Sequence, residues 1–163
     1  MKMELGMKIE KIINGKLMDP DMEMEEFEQL LSEIIKSNNS EYIRALYLAF
    51  DDRFELPEYG ENLLYTVEHS RIMFGDEIGF EILIEMLPKM LPHAQQWAEW
   101  MHARILNEEI GRKIYAALVS NADPNLQKLV INIMNQLKEE SPSHYDSTAE
   151  VLSIIEARTG ELL

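Results

Sequence analysis

Apolar side chains recur every three or four residues in nearly every segment of this chain, the spacing of one face of an α-helix. In "MEEFEQLLSEIIKSN", Met24, Phe27, Leu31, Ile34 and Ile35 form one stripe, with Glu25, Glu28, Gln29, Ser32 and Glu33 largely opposite. Asp19 before Pro20, or Asp21, is placed to cap its start. Ser40 is the N-cap candidate for "EYIRALYLAF", and "NLLYTVEHSRIMF" continues to a stop at Gly75. Asp76 can cap "EIGFEILIEML", which should end near Pro88; Pro92 opens "HAQQWAEWMHARIL", and Asn107 is expected to cap "EEIGRKIYAALVSN". Asp123 followed by Pro124 is the strongest helix start in the chain. Ser147 and Glu150 have capping-box spacing before "VLSIIEAR", which stops at Gly160. Near the N-terminus Met3, Leu5, Met7 and Ile9 alternate as in a strand, but Leu5, Ile9, Ile12 and Ile13 fit a helix, the reading adopted.

The predicted starts fall near residues 24, 41, 61, 77, 93, 108, 124 and 148, so alternate starts lie 31 to 40 residues apart. Short links with that rhythm suggest antiparallel pairs stacked in order. The expectation is therefore an all-α single domain over 1–163, of seven or eight helices in a HEAT-like α-solenoid.

Composition removes several functions. The 163 residues include no cysteine, which excludes disulfides, thiol catalysis and thiolate metal sites and fits a reducing cytoplasm. "MKMELGMKIEKIINGK" mixes both charge signs and lacks the apolar core of a secretory signal. No run approaches the length of apolar sequence that crosses a membrane.

The segment "MLPKMLPHAQQWAEWMHARILNEE" holds the residues most suggestive of chemistry. On a helix Ala94, Trp97, Ala98, Met101 and Ile105 share one apolar stripe, which makes Trp97 a core residue. Trp100 lies off that stripe beside His93 and Arg104, packed on a neighbouring helix or free to anchor a partner. Glu99 and His102 are expected on the polar face. Their Glu-x-x-His spacing builds a carboxylate-bridged metal site only when it occurs twice with further glutamates, and it occurs once here. Replacing both is therefore expected to change little. No H-E-x-x-H, nucleophile elbow, P-loop or dinucleotide fingerprint appears. The expectation is a protein without catalytic residues, metal or cofactor.

Charge is the largest anomaly: 30 acidic against 15 basic side chains, a net of −15. Residues 1–91 carry 20 acids and 9 bases, and residues 19–33 hold seven acids and no base. Nucleic acids and anionic membranes demand the opposite sign. The acids either solubilise the surface or form a docking face for a basic partner, whose approach such a field would speed.

The run from "ENLLYTVEHSRIMFGDE" through "LPKMLPHAQQWAEWMHARILNEE" to "DPNLQKLVINIM" resembles the Immunity protein thirty family over residues 61–134. The features that carry it are the helix before an acidic turn, Leu87–Pro88, Trp97–Ala98, the Arg104–Ile105–Leu106–Asn107 run and the Asp123–Pro124 start. The resemblance implies a small α-helical cytoplasmic antidote encoded beside a bacterial polymorphic or contact-dependent-inhibition toxin. Such a protein occludes a cognate toxin C-terminal domain, often a nuclease, and Trp97 and Asn107 would serve as scaffold. Nuclease domains must attract phosphate and are commonly basic, so an acidic antidote has a physical rationale. The alternatives are a HEAT-like acidic adaptor with no toxin partner, or an inhibitor whose carboxylates mimic DNA phosphates.

For the partner-binding face, "DDRFELPEYGE" concentrates Asp51, Asp52, Glu55, Glu58 and Glu61 with Phe54 and Tyr59 in an expected inter-helix link. Acids there would steer a basic toxin, and Tyr59 would supply contact area. Glu77 and Glu81, early in the next helix, are expected to extend the surface, with Trp100 as a further anchor.

Overall fold

The computed structural model describes residues 2–16 and 23–160. Among the described residues there are nine α-helices and no strand. They are α1 (Lys2–Lys11), α2 (Met24–Ser37), α3 (Ser40–Tyr47), α4 (Pro57–Phe74), α5 (Asp76–Met90), α6 (Gln95–Leu106), α7 (Glu109–Ser120), α8 (Pro124–Glu140) and α9 (Tyr145–Thr159). A π-helical turn, Ile12–Lys16, follows α1, and a 3-10 turn, Pro142–His144, leads into α9. The all-α class is as the periodicity predicts; α1 raises the helix number above eight. The caps expected at Asp19 and Asp21 lie outside the described residues.

Several boundaries differ from the sequence pattern, each for a local reason. Asn39 rather than Ser40 caps α3, its Oδ1 accepting from the Glu41 amide at 3.0 Å. α4 begins at Pro57, four residues early, because proline's fixed φ suits the first helical position and its missing N–H is no loss there. α5 passes through Pro88 to Met90, since Leu87 and Met90 are wholly buried and packing holds the last turn. α6 starts at Gln95, after a turn at residues 91–94. Asn107 closes α6 instead of capping α7, and its Oδ1 lies 3.2 Å from His144 Nε2. Ser147 falls inside α9, bonded to the His144 carbonyl, and Glu150 pairs with Arg112 instead of closing a capping box. Asp123 caps α8 as read, accepting from Asn125 N at 2.8 Å.

α4 and α5 are joined by Gly75 alone, at φ 94° and ψ 159°. That φ lies in the region side chains avoid, so only glycine turns the chain this sharply without strain. Asp76, expected as a cap, instead accepts from Arg71 Nε at 2.9 Å and closes the corner. α5 packs against α3, α4, α6, α7 and α8. Its Ile82, Leu83, Ile84, Met86, Leu87 and Met90 are all buried, as a helix apolar on most sides requires.

α6 is locked onto α4 by Trp97. Its indole touches Phe50, Phe54 and Trp100, with ring centroids 5.8, 6.2 and 5.0 Å away, and its Nε1 donates to the Asp51 carbonyl at 3.1 Å. Gly60 on α4 lets it in: a Cβ there would sit 2.0 Å from the indole ring. Two expectations follow for urea unfolding. Trp97→Ala should cost about 3–5 kcal/mol, the large-to-small range for buried aromatics. Gly60→Ala should cost about 1–3 kcal/mol by overpacking; a neutral Gly60→Ala would mean that the two helices are not held this closely.

Candidate partner-binding face

The link at residues 48–56 carries the first two predicted acids, and the fold uses both. Asp51 is held by Arg53, whose Nε and Nη2 donate to its two oxygens at 3.0 and 2.8 Å. This pairing lowers the Asp51 pKa below its ordinary value. Asp52 reaches across to α6: both carboxylate oxygens accept from the Gln96 amide at 3.1 Å, and its own amide donates to the His93 carbonyl at 2.9 Å. It is thus a capping group supplied from another segment, satisfying an amide that the start of α6 leaves open.

Tyr59 corrects the expectation of an exposed aromatic. It lies on the first turn of α4, only 3% exposed, with its ring edge-on to Phe27 at 5.1 Å. Burial also raises its pKa. It joins α2 to α4 and has no area to offer a partner.

Glu58 and Glu61 do face outward, and Glu55 is exposed in the link before them. With Tyr65, Glu68 and Ile72, Glu58 and Glu61 follow helical spacing along one side of α4. α6 lies beside that stripe: Arg104 Nε and Nη2 donate to Glu68 at 2.5 and 2.9 Å, and the Arg104 guanidinium lies 5.7 Å from the Tyr65 ring centre. The Glu68 carboxylate keeps Arg104 protonated above its ordinary range. Trp100, one turn before Arg104, is 52% exposed, and Leu56 and Tyr65 are 45% and 57% exposed. α4 and α6 thus present one surface of acids interleaved with large apolar groups. Sequence spacing singles out neither Tyr65 nor Ile72, although their regular spacing on α4 with Glu58 and Glu61 was the available signal; Leu56, the extended residue before α4, carries no such signal.

Glu77 and Glu81 lie beyond the other end of α4 from Glu58 and Glu61. Both are exposed, but α4 runs sixteen residues from Glu58 to Phe74, about 24 Å of helix at 1.5 Å per residue, before α5 begins. They share a line along α5 with Glu85, which pairs with Arg44 of α3 at 3.1 Å, whereas Glu68 on α4 turns toward α6. The nine predicted residues therefore divide by role and place. Asp51, Asp52 and Tyr59 are built into the fold; Glu55, Glu58, Glu61 and Trp100 lie at the α4–α6 face; Glu77 and Glu81 are exposed on the first turns of α5.

The Glu-x-x-His element is also revised. Glu99 accepts from Gln95 at 3.0 Å, but His102 turns inward and is fully buried. A carbonyl can only accept, so His102 Nδ1 carries the proton given to the Ala98 oxygen at 2.6 Å. Nε2 then accepts from the Tyr115 hydroxyl at 2.5 Å. Burial lowers the His102 pKa from 6.5 to about 4, against the smaller opposing effect of the Ala98 bond. Among the described residues no three His, Cys, Asp or Glu side chains are grouped to hold a metal ion, and no helix is long and apolar enough to cross a membrane.

A family model, Immunity protein 30, matches residues 14–115. That is well over half of the chain. The chain belongs to the Immunity protein 30 family. This immunity protein's match reaches further toward the N-terminus than the 61–134 resemblance and takes in α2, α3 and the acidic link. It ends within α7, so the Asp123–Pro124 helix start lies outside it. No curated protein and no solved structure matches. Membership of this family makes the partner a protein, a toxin.

Two measurements test this assignment of roles. Asp52→Ala should cost about 1 kcal/mol as a lost cap, while Glu58→Lys and Glu61→Lys should each stay within about 0.5 kcal/mol of the parent. For His102, the unfolded chain takes up a proton near pH 6.5 and the folded chain only near 4. The stability due to its neutral ring is therefore complete above pH 6.5 and declines as the pH falls toward 4. The stability difference between the parent and His102→Gln should shrink over that window by on the order of 3 kcal/mol. Glu99→Ala should leave the profile unchanged; a pH-independent difference between parent and His102→Gln would place the imidazole in water.

Proposed function

We propose that this immunity protein neutralises a basic toxin domain, a nuclease at the C-terminus of its parent toxin, by covering it in the cytoplasm with the α4–α6 face. One observation carries the reading. The outward side of α4 and α6 combines Glu58 and Glu61 with exposed Tyr65 and Trp100 on a chain of net charge −15. Carboxylates at such a face raise the encounter rate with a basic surface, and aromatic groups supply the desolvated contacts that slow dissociation. The same charge opposes self-association through this face, since two copies would bring like carboxylates together. Residues Asp51 and Asp52 contribute indirectly, by fixing the link and the start of α6 that carry the exposed groups.

The test is co-expression with the toxin domain, scored by growth and followed by association kinetics at several salt concentrations. The parent protein should restore growth. The Glu58→Lys/Glu61→Lys double variant should associate about tenfold more slowly at low salt, with a flatter salt dependence and unchanged helical circular dichroism. Wild-type rates and salt slope in that variant would move the binding face away from α4.

A further inference from the structure

At the junction of the acidic link, α4 and α6 lies a notch of about 130 Å³ lined by Asp52, Phe54, Pro57, Gln96, Trp97 and Trp100. Trp97 forms the buried back, Trp100 stands edge-on to it at 5.0 Å and 76°, and Phe54 leans on Trp97 at 6.2 Å and 57°. Trp100 is about half exposed, and Phe54 is partly buried. Gly60 and the Asp51 carbonyl fix Trp97 from behind, so the back wall cannot turn away to close the opening. A notch held in this way leaves the half-exposed Trp100 ring open to a ligand.

The charge around the notch selects the ligand. Asp52 lines it, and although the Gln96 amide occupies both of its oxygens, each keeps accepting capacity. Glu55 follows Phe54, Glu58 follows Pro57, and Glu61 lies one helical turn beyond Pro57, all exposed. The basic groups close by are committed: Arg53 lies on Asp51 at 2.8 Å, and Arg104 on Glu68 at 2.5 Å. Over residues 51–61 five acids stand against one arginine. Aromatic faces attract cations through their quadrupole, most strongly at tryptophan, and surrounding carboxylates add to that attraction. A neutral apolar side chain would gain only the rings and would lose the field.

We infer that this notch receives a cationic side chain, lysine or arginine, from a basic protein partner, and stacks it against Trp100 beside Asp52. The inference rests on the basic-partner reading above and adds the contact that would make it specific. The test uses hexa-arginine and its neutral isostere hexa-citrulline as probes, independently of any toxin. Binding is followed by NMR of the two indole N–H signals in moderate salt. Hexa-arginine should move the Trp100 signal, and hexa-citrulline should not. Site-specific fluorination of Trp100 keeps ring size while draining its π-face, and binding should fall stepwise with each fluorine, to about tenfold weaker in the tetrafluoro form. Trp100→Leu should weaken binding similarly, with the helical spectrum intact. If hexa-arginine binds without moving the Trp100 signal, or if fluorination has no effect, the notch does not hold a cation. That outcome leaves the growth assay untouched. Failure to protect against the toxin with the peptide result intact would instead overturn the toxin reading.

Discussion

The candidate face depends on the seating of one indole. Trp97 is where the acidic link, the first turn of α4 and the body of α6 meet, and each meets it differently: a backbone carbonyl, a missing side chain and a helix register. Burying an aromatic of this size removes more apolar surface from water than any single aliphatic contact nearby. Directionality matters as much as area. The Nε1–H to Asp51 bond fixes which edge of the ring faces the link, and thereby where Trp100 emerges on the surface. A leucine at position 97 would bury area without setting that angle.

The acids of the front half separate into two populations by what their oxygens meet. Asp51, Asp52, Glu68 and Asp76 accept from a guanidinium or an amide and hold segments together. Glu55, Glu58 and Glu61 project into water from the same region. Net charge alone does not distinguish them, yet only the second population can respond to a partner without disturbing the fold. Charge reversal across the whole stretch would mix binding with folding.

His102 shows how a polar residue enters a core. A neutral imidazole has one donor and one acceptor, and the interior supplies one partner for each, the Ala98 carbonyl and the Tyr115 hydroxyl. With both satisfied, burial costs little while the ring stays neutral, and the cost appears when the pH asks it to charge. The bond also ties α6 to α7, a role unrelated to metal binding.

Helical periodicity by itself determined the fold class, most helix positions and the burial of Trp97, because the 3.6-residue repeat records which side of each helix meets other apolar groups. Net charge and the absence of catalytic spacing pointed to a binding protein, and the helix-packing residues of α4 to α8 carried the family resemblance. Tertiary structure alone decided which acids are free and which are tied. Asp52 and Gln96 are 44 residues apart, as are few pairs that local pattern can register. It also decided that Tyr59 and His102 point inward, since an aromatic or a histidine bordering an apolar stripe can serve either side and only the neighbour's shape selects. The exposed stripe of α4 became a face only when α6 was laid beside it. Sequence spacing fixes what lies along one helix; the opposing surface depends on long-range packing that no single segment encodes.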